Sequence, residues 1–220
     1  MKYSPMNELI SILKHSDKHL LKGTESHFKL APLINGEHFR TFTPSPDAYH
    51  SSVLLLLREF EEKLQILFTL RSSNMKSHSG QISFPGGRVE ESENYIDTAL
   101  RETHEEIGIK PEQIEILKQL STLYVPPSNA IIHPFVGILK QDCEFTLNPT
   151  EVEDAFWVDL EYFLNINNMV IEQWKFNGKI VDVPLWKIHP KQVLWGATAM
   201  ILSEFIDITK ENINFENKFV

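Results

Sequence analysis

Two apolar runs joined by a short polar turn constrain the fold of this chain most strongly. The first run covers 52–58 and the second covers 64–70, with the polar residues 59–63 between them. Apolar runs of this length, bounded by polar turns, are typical of buried β-strands. We therefore predict a β-hairpin in this part of the chain.

Further strands and two long helices are predicted downstream. A helix signal covers 93–107 and ends at Gly108, a residue suited to a helix C-terminus. A second helix is predicted over 192–209, and Asn177-Gly178 is well suited to a tight hairpin turn. Hairpins outnumber strand–helix–strand units, so we predict an α+β fold, with a mixed sheet between helices. The other predicted strands cover 114–124, 131–139, 152–158, 170–176 and 179–184.

The first fifty residues differ in character from the remainder. Residues 1–20 have the spacing of an amphipathic helix, and 22–50 contain five prolines or glycines. We interpret 1–50 as an N-terminal helix with an irregular connector, and 51–220 as one domain. A chain of 220 residues is long enough to bury a full core in a single decorated domain.

Charge and composition exclude several classes of protein. The net charge of −9 argues against a general affinity for nucleic acid, although a phosphate compound can still bind through a divalent metal. The longest aliphatic run, 53–57, is too short to span a bilayer, and Glu8 and Lys14 interrupt the N-terminal apolar residues. Cys143 is the only cysteine, so no intrachain disulfide can form. We expect a cytoplasmic protein without a signal peptide or a membrane partner.

The helix predicted over 93–107 carries three carboxylates on one side. At about 100° per residue, Glu102, Glu105 and Glu106 share an arc of about 100°. Like charges at this spacing repel one another unless a cation neutralises them. Oxygen ligands at close range suit Mg²⁺ or Mn²⁺, and a solvated acidic face is the alternative. A separate, mostly apolar stripe is expected to face the core: Ile96, Leu100, Thr103 and Ile107.

The spacing around these glutamates matches a known motif, Gly-x5-Glu-x7-Arg-Glu-U-x-Glu-Glu-x-Gly-U, in which U is apolar. Thr103 departs from the first U position, but its methyl group can still pack. The chain therefore resembles the Nudix hydrolase superfamily. The fixed positions are occupied by Gly87, Glu93, Arg101-Glu102, Glu105-Glu106 and Gly108-Ile109.

This resemblance implies a fold, a cofactor and a reaction. The implied fold is an α/β/α sandwich, and the implied reaction is hydrolysis of a nucleoside diphosphate linked to another moiety. Glu102, Glu105 and Glu106 would bind Mg²⁺ or Mn²⁺, with the Gly87 carbonyl as a further ligand. An additional carboxylate often comes from a later loop, where we favour Glu151. The catalytic base is left open among Glu102, Glu106 and Glu151.

An upstream segment resembles the coenzyme A pyrophosphatase branch of that superfamily. Residues 67–73 and 78–87 follow its Thr-x-Arg-Ser and His-x-Gly-Gln … Phe-Pro-Gly-Gly patterns, with Met75-Lys76 where Leu-Arg is usual. Lysine lacks the planar fork of arginine, so a phosphate contact there would be less directional. The likeness covers about 50–209 and implies cleavage of coenzyme A, or of its acyl and disulfide derivatives. The products would be adenosine 3′,5′-bisphosphate and 4′-phosphopantetheine or its derivative.

The same resemblance indicates substrate contacts. Arg71, Lys76 and His78 place basic or ionisable groups beside the acidic site, which suits an anionic substrate and its 3′-phosphate, unless they are simply solvated. Gln81 belongs to the branch pattern, and Phe84 could stack on adenine or lie in the core.

Other residues near the motif are expected to be structural or exposed. We expect Arg101 and Glu93 to pair and hold the motif loop on the helix. Solvated positions are expected for the loop residues Glu90 and Glu91 and for His104, and a structural position for His133.

Two alternative functions remain open. One is hydrolysis of ADP-ribose, dinucleoside polyphosphates or other nucleotides, because fold alone does not decide the substrate. The other is a non-catalytic Nudix module that senses a nucleotide, which the complete set of glutamates disfavours. A small-molecule nucleotide is the expected partner, and a homodimer is compatible with the sequence.

Overall fold

The computed structural model describes residues 5–15, 21–38, 43–75, 79–176 and 178–212. None of the helices in these ranges is long and apolar enough to cross a membrane. The N-terminal helix predicted over 1–20 is confirmed for 5–15, and 1–4 and 16–20 lie outside the described residues. The helices are α1 (Pro5–His15), α2 (Thr24–Lys29), α3 (Tyr95–Ile107), α4 (Leu160–Leu164) and α5 (Gly196–Asn212).

The strands of the described ranges form two sheets. The larger sheet has the order β10-β4-β3-β9-β7, with β5, β6 and β8 pairing at its side, and the smaller has the order β11-β12-β1-β2. The strands are β1 (Leu33–Ile34), β2 (Glu37–His38), β3 (Tyr49–Phe60), β4 (Lys63–Arg71), β5 (Ile82–Ser83), β6 (Gly86–Arg88), β7 (Ile114–Gln119), β8 (Leu123–Val125), β9 (Ala130–Leu139), β10 (Val152–Asp159), β11 (Met169–Phe176) and β12 (Lys179–Trp186).

The predicted hairpin at 52–70 is confirmed, and it lies in the middle of the larger sheet. β3 pairs with β4 in antiparallel register, with Leu57 opposite Ile66. On its other side β3 runs parallel to β9, with Val53 opposite Pro134. The larger sheet is therefore mixed, as the excess of hairpins predicted, and the α+β class is confirmed.

Alternate residues of β3 face two different hydrophobic cores, as the period of two in a strand requires. Leu54 and Leu56 pack in one core with Ala99 and Ile107 of α3. Leu55 and Leu57 pack in the other core, which is shared with α1 and α5. Helices therefore cover both faces of the sheet, which gives the sandwich that the sequence predicted.

The stretch 22–50 is less irregular than predicted. It contains the short helix α2 and the two-residue strands β1 and β2, and Leu33 of β1 pairs with Asp182 of β12. Elements this short are stabilised by contacts with distant parts of the chain, which local sequence patterns do not reveal. The prediction of an irregular connector was wrong for these residues, whereas the boundary at residue 50 stays a prediction.

A buried glutamate attaches this N-terminal stretch to α5. Glu204 is completely buried and accepts hydrogen bonds from the backbone N–H groups of Gly23 at 2.8 Å and Ser121 at 2.9 Å. The hydroxyl of Ser121 donates to the same carboxylate at 2.6 Å. Burial alone would raise the pKa of Glu204, but these hydrogen bonds and the nearby His27 hold it below its ordinary value. The carboxylate thus joins three segments that are distant in sequence.

Several predicted elements have different bounds in the structure. The run 114–124 is divided into β7 and β8 by the residues 120–122, and the last helix begins at Gly196 instead of 192. The predicted hairpin over 170–184 is confirmed as β11 and β12, although Asn177 of its turn lies outside the described residues.

Candidate active site

Capping interactions fix both ends of α3. The side chain of Asn94 caps the N-terminus by accepting from the Asp97 N–H at 2.9 Å. At the other end Gly108 adopts a φ of 79°, and its N–H donates to the carbonyl of His104 at 2.9 Å. A Cβ at Gly108 would lie only 2.8 Å from Thr146, so this C-terminal cap requires glycine.

The buried face of α3 is rotated from the predicted one. Ile96, predicted to face the core, has 39% of its surface exposed, and Leu100 is half-buried. The small residues Ala99 and Thr103 are completely buried, so they let the helix approach the sheet closely. Glu106 is buried beside them with 1% exposed, because polar groups of the sheet edge bind its carboxylate.

Glu106 lies at the centre of a cluster of three carboxylates. One oxygen each of Glu102, Glu106 and Glu151 lies within 4.8 Å of the others. The Gly86 N–H donates to Glu106 Oε2 at 3.3 Å, and Arg71 Nη1 donates to Oε1 at 3.4 Å. Burial raises the pKa of Glu106 to about 8, with Glu102 and Glu151 adding to the rise and Arg71 opposing it. The surroundings of Glu106 therefore disfavour its charged form.

Glu102 lies directly against the backbone of Gly87. A Cβ added at Gly87 would overlap the Glu102 carboxylate, so a larger residue here would displace that carboxylate from its present position. Burial raises the pKa of Glu102, and Arg101 opposes that rise. Gly87 therefore lies beside Glu102, as its place in the motif predicted. The role of its carbonyl as a metal ligand stays a prediction.

Glu151 reaches the cluster through the pairing of β10 with β4. Val152 lies opposite Arg71, and the N–H of Ser72 donates to the carbonyl of Glu151 at 2.8 Å. Asn148 Nδ2 donates to the Glu151 carboxylate at 3.2 Å. The structure thus brings the loop carboxylate favoured from sequence next to both helix glutamates.

Glu105 lies apart from the other three carboxylates. Its side chain is 51% exposed and accepts from Arg101 Nη1 at 3.1 Å. Arg101 also donates through Nε to Glu93 at 2.9 Å, which confirms the predicted pair. That hydrogen bond lowers the pKa of Glu93 to about 2, and Glu93 in turn raises the pKa of Arg101. The role of Glu105 as a direct metal ligand stays a prediction.

The donor set of the cluster fits a hard divalent cation. Its three members offer only carboxylate oxygens, the ligands that Mg²⁺ and Mn²⁺ prefer. Burial raises the pKa values of both Glu102 and Glu106, so a bound cation would favour the charged forms that can serve as its ligands. Glu102, Glu106 and Glu151 are therefore the residues that would hold the ion.

A groove of about 560 Å³ opens beside Gly86 and Gly87 on the α5 side of the sheet. Arg71, Gln81 and Phe84 lie in its wall, as their predicted role as substrate contacts requires. Phe84 is nevertheless only 2% exposed and stacks on Phe68 at 5.3 Å, so most of its ring belongs to the core. The other predicted contacts, Lys76 and His78, lie outside the described residues.

The protein-family model of the NUDIX domain matches residues 48–179 of the sequence. The chain belongs to the Nudix family. The matched segment contains the motif loop, α3, all three clustered carboxylates and Arg71.

Individual Nudix relatives cover varying parts of the chain. Nudix hydrolase 15, mitochondrial, of Arabidopsis thaliana is 32% identical over 185 residues, which is 80% of this chain and 65% of the relative. A peroxisomal coenzyme A diphosphatase of Mus musculus is 38% identical over 115 residues, or 52% of this chain and 48% of the relative. The chain therefore spans about half to two thirds of the length of these curated relatives.

A solved structure supports the Nudix fold. The crystal structure of a MutT/nudix family protein from Enterococcus faecalis superposes with a TM-score of 0.52 at 16% identity. The match covers 93% of this chain and 73% of the other. It extends the likeness beyond the NUDIX match to nearly the whole chain.

Two residues of this Nudix groove were not singled out from sequence. Tyr49 lies at the start of β3 and Arg88 at the end of β6, and the Arg88 guanidinium lies 4.8 Å from the centre of the Tyr49 ring. The position of Arg88 directly after Gly87 of the motif could have indicated from sequence that it lies near the site. No local signal pointed to Tyr49, because its neighbours are set by the parallel pairing of β3 with β9.

The two histidines expected to be structural or exposed lie as predicted in this Nudix protein. His133 is 7% exposed and stacks on Tyr95 with ring centres 3.6 Å apart. Its Nε2 lies 2.8 Å from Nδ1 of His50, and burial lowers the pKa of His133 to about 4. His104 is exposed on the outer side of α3, like Glu90 and Glu91 in the loop.

Proposed function

We propose that this protein is a metal-dependent pyrophosphohydrolase that cleaves the diphosphate bond of coenzyme A and its derivatives. The observation that carries this proposal is the convergence of Glu102, Glu106 and Glu151 within 4.8 Å at the edge of an open groove. Three carboxylates this close suit divalent-metal chemistry better than a solvated face, since one of them is almost completely buried.

The chain's residues have distinct roles in such a reaction. Glu102, Glu106 and Glu151 would hold Mg²⁺ or Mn²⁺, which when bound activates water and neutralises charge developing on the phosphates. Arg71, at 3.4 Å from Glu106, lies beside the ion site and would orient one phosphate of the diphosphate.

The attacking water must lose a proton to a nearby carboxylate. Glu106 is the least accessible candidate, with 1% exposed and two hydrogen bonds to its carboxylate. Glu102 and Glu151 are partly exposed and belong to the same cluster, so each can accept the proton from water at the metal site. We therefore favour these two over Glu106 as the base.

The coenzyme A substrate is supported by two sequence likenesses. Residues 67–87 resemble the coenzyme A pyrophosphatase pattern, and the structure places Arg71, Gln81 and Gly87 of this pattern around one groove. The mouse relative is named a coenzyme A diphosphatase. The expected products are adenosine 3′,5′-bisphosphate and 4′-phosphopantetheine, or the corresponding acylated form.

A product analysis tests the proposal. The protein is incubated with coenzyme A, ADP-ribose and dinucleoside polyphosphates, each with Mg²⁺, with Mn²⁺ and with a chelator. We expect metal-dependent cleavage of coenzyme A and none with the chelator. Cleavage of ADP-ribose or dinucleoside polyphosphates alone would reject the coenzyme A substrate and retain the Nudix chemistry. No cleavage of any compound, combined with tight nucleotide binding, would support a sensor.

A further inference from the structure

Only two cations line the catalytic groove among the residues that the structure describes, Arg71 and Arg88, and no carboxylate lines it there. Arg71 is already paired with the buried Glu106. Arg88 is exposed and has no ion pair with any described residue, and its guanidinium lies 4.8 Å from the centre of the Tyr49 ring. In a chain with a net charge of −9, an unpaired arginine in a groove suits an anionic group of the ligand.

Arg88 approaches the groove from a different side than the carboxylate cluster. Gly87 faces Glu102, so the next residue of the strand projects to the opposite face of β6. Arg88 pairs with Ser51 of β3, and Tyr49 lies two residues further along the same face. The guanidinium is therefore placed to contact a part of the ligand other than the diphosphate at the metal site.

The backbone and the side chain of Arg88 are both held in position. The backbone carbonyl of Arg88 accepts a hydrogen bond from Arg101 Nη2 at 3.2 Å. Arg101 also binds Glu93, so the backbone of Arg88 is tied to the motif. The Tyr49 ring supports the guanidinium from one side by a cation–π contact. A stacked guanidinium keeps its N–H groups free at its edge, where they can bind phosphate oxygens in pairs.

Space for a further group exists on both sides of this pair. Tyr49 and Arg88 line the catalytic groove and also a second cavity of about 530 Å³. The rest of its lining is His50, Val89, Glu93, Asn94 and Tyr95, and the Glu93 carboxylate is paired with Arg101. The two residues thus form the wall between the cavities, and a group bound at Arg88 need not compete for space with the diphosphate.

We propose that Arg88, supported by Tyr49, binds a phosphomonoester on the nucleoside part of the substrate and thereby selects 3′-phosphorylated nucleotides. This inference rests on the proposed function for its substrate and assigns the selecting residue. It differs from the sequence-based expectation that Arg71, Lys76 and His78 bind the 3′-phosphate, because Arg71 is paired with Glu106 and is assigned to the diphosphate.

The kinetic test compares coenzyme A with dephospho-coenzyme A. In the parent protein, kcat/KM should be higher for coenzyme A, because an unpaired Arg88 gains a partner only with that substrate. Arg88→Gln should lower the ratio of the two kcat/KM values by about ten- to a hundredfold, the range of a lost charged hydrogen bond. Hydrolysis of dephospho-coenzyme A should change little.

Matched variants separate the binding residue from a general change in charge or structure. Lys175→Ala removes an exposed positive charge on β11, away from the groove, and should leave the ratio unchanged. Tyr49 is a positioning residue, so Tyr49→Leu should lower the ratio and Tyr49→Phe should restore it, since the ring remains. An unchanged ratio in both Arg88→Gln and Tyr49→Leu would overturn the inference.

A binding measurement keeps the test independent of turnover. By titration calorimetry, the parent should bind adenosine 3′,5′-bisphosphate more tightly than adenosine 5′-monophosphate, and Arg88→Gln should abolish the difference. A parent that hydrolyses neither substrate but shows this difference would reject the proposed function and retain the role of Arg88. Loss of the difference in Lys76→Ala or His78→Ala, with Arg88→Gln unaffected, would assign the 3′-phosphate to the loop and overturn the inference.

Discussion

The guanidinium of Arg71 lies 3.4 Å from the carboxylate of Glu106, at the junction of the larger sheet and α3. Arg71 ends β4, whereas Glu106 lies in the last turn of α3, so this pair joins the two sequence patterns on which the functional proposal depends. Arg71 offsets part of the buried charge but leaves the pKa of Glu106 raised to about 8 by burial. A divalent cation would supply the missing compensation.

Replacing Glu106 by Gln should lower kcat by at least about a hundredfold, comparable to the loss of a main charge-stabilising group. The substitution keeps the size of the side chain and removes the negative charge needed at the metal site. Steady-state hydrolysis of coenzyme A with saturating Mg²⁺ measures the effect. Glu90→Gln, in the exposed motif loop, is the control and should be almost neutral. Near-normal turnover of Glu106→Gln would remove Glu106 from the metal site.

The metal-free form of Glu106→Gln should be as stable as the parent or more stable. The neutral amide avoids the burial of a charge and the repulsion from Glu102 and Glu151, the two effects that raise the pKa of Glu106. The pKa of Glu106 is raised in the folded state, so its protonated form favours folding. Its contribution to folding stability is complete below about pH 4.5 and is lost as the pH rises through about 8. The melting temperature of the variant should therefore exceed that of the parent more at pH 9 than at pH 6, with chelator present. A large fall at both values would show that Glu106 is needed for the fold.

Because of His133, the folding stability should decrease when the pH becomes mildly acidic. Its folded-state pKa is lowered to about 4 by burial and by His50, from an ordinary value of 6.5. The unfolded chain therefore binds the proton first, so stability is complete above about pH 6.5 and decreases as the pH falls towards about 4. His133→Phe keeps a ring against Tyr95 and should flatten this part of the curve of melting temperature against pH. His104→Gln, at an exposed position, should follow the parent, and parallel curves for all three proteins would contradict the prediction.

Glu204→Gln should destabilise the protein by about 1–3 kcal/mol, the cost of leaving buried polar groups unsatisfied. The amide offers one acceptor oxygen where the carboxylate accepts from Gly23 and Ser121 with two, and its NH₂ group would face donors. Urea unfolding monitored by fluorescence measures the change. Glu211→Gln in the same helix alters an exposed pair with Lys22 and should change the free energy of unfolding by less than about 0.5 kcal/mol. Equal effects of the two substitutions would show that burial of Glu204 carries no special cost.

Sequence reasoning succeeded where the signals are local. The Gly108 stop, the alternation in β3 and the spacing of Glu102 and Glu106 each depend on a few neighbouring residues, and the structure shows the corresponding elements. The pair of Glu93 with Arg101 also follows from the spacing of one motif.

Sequence reasoning failed where long-range contacts decide the structure. The helix α2 and the strand β1 exist because α5 and β12 pack or pair with them, and no window around residues 24–34 contains that information. The orientation of α3 exposes Ile96 and buries Glu106, whose carboxylate accepts from the Gly86 N–H, and a hydrophobic pattern cannot predict such a polar contact. Glu151 was favoured only by resemblance, because its distance from Glu106 depends on the register of β10 with β4.

The position of α5 has a consequence for biosynthesis. It follows every described strand in the chain, yet Trp195, Gly196 and Ile201 at its beginning form one wall of the groove. Domains emerge from the ribosome N-terminus first, so the larger sheet can assemble while one of its faces is still uncovered. A nascent chain that already carries every glutamate of the motif would therefore lack a complete groove. If the proposed function holds, the groove could retain a nucleotide only after this helix has docked, which ties the onset of activity to the folding of α5 onto the sheet.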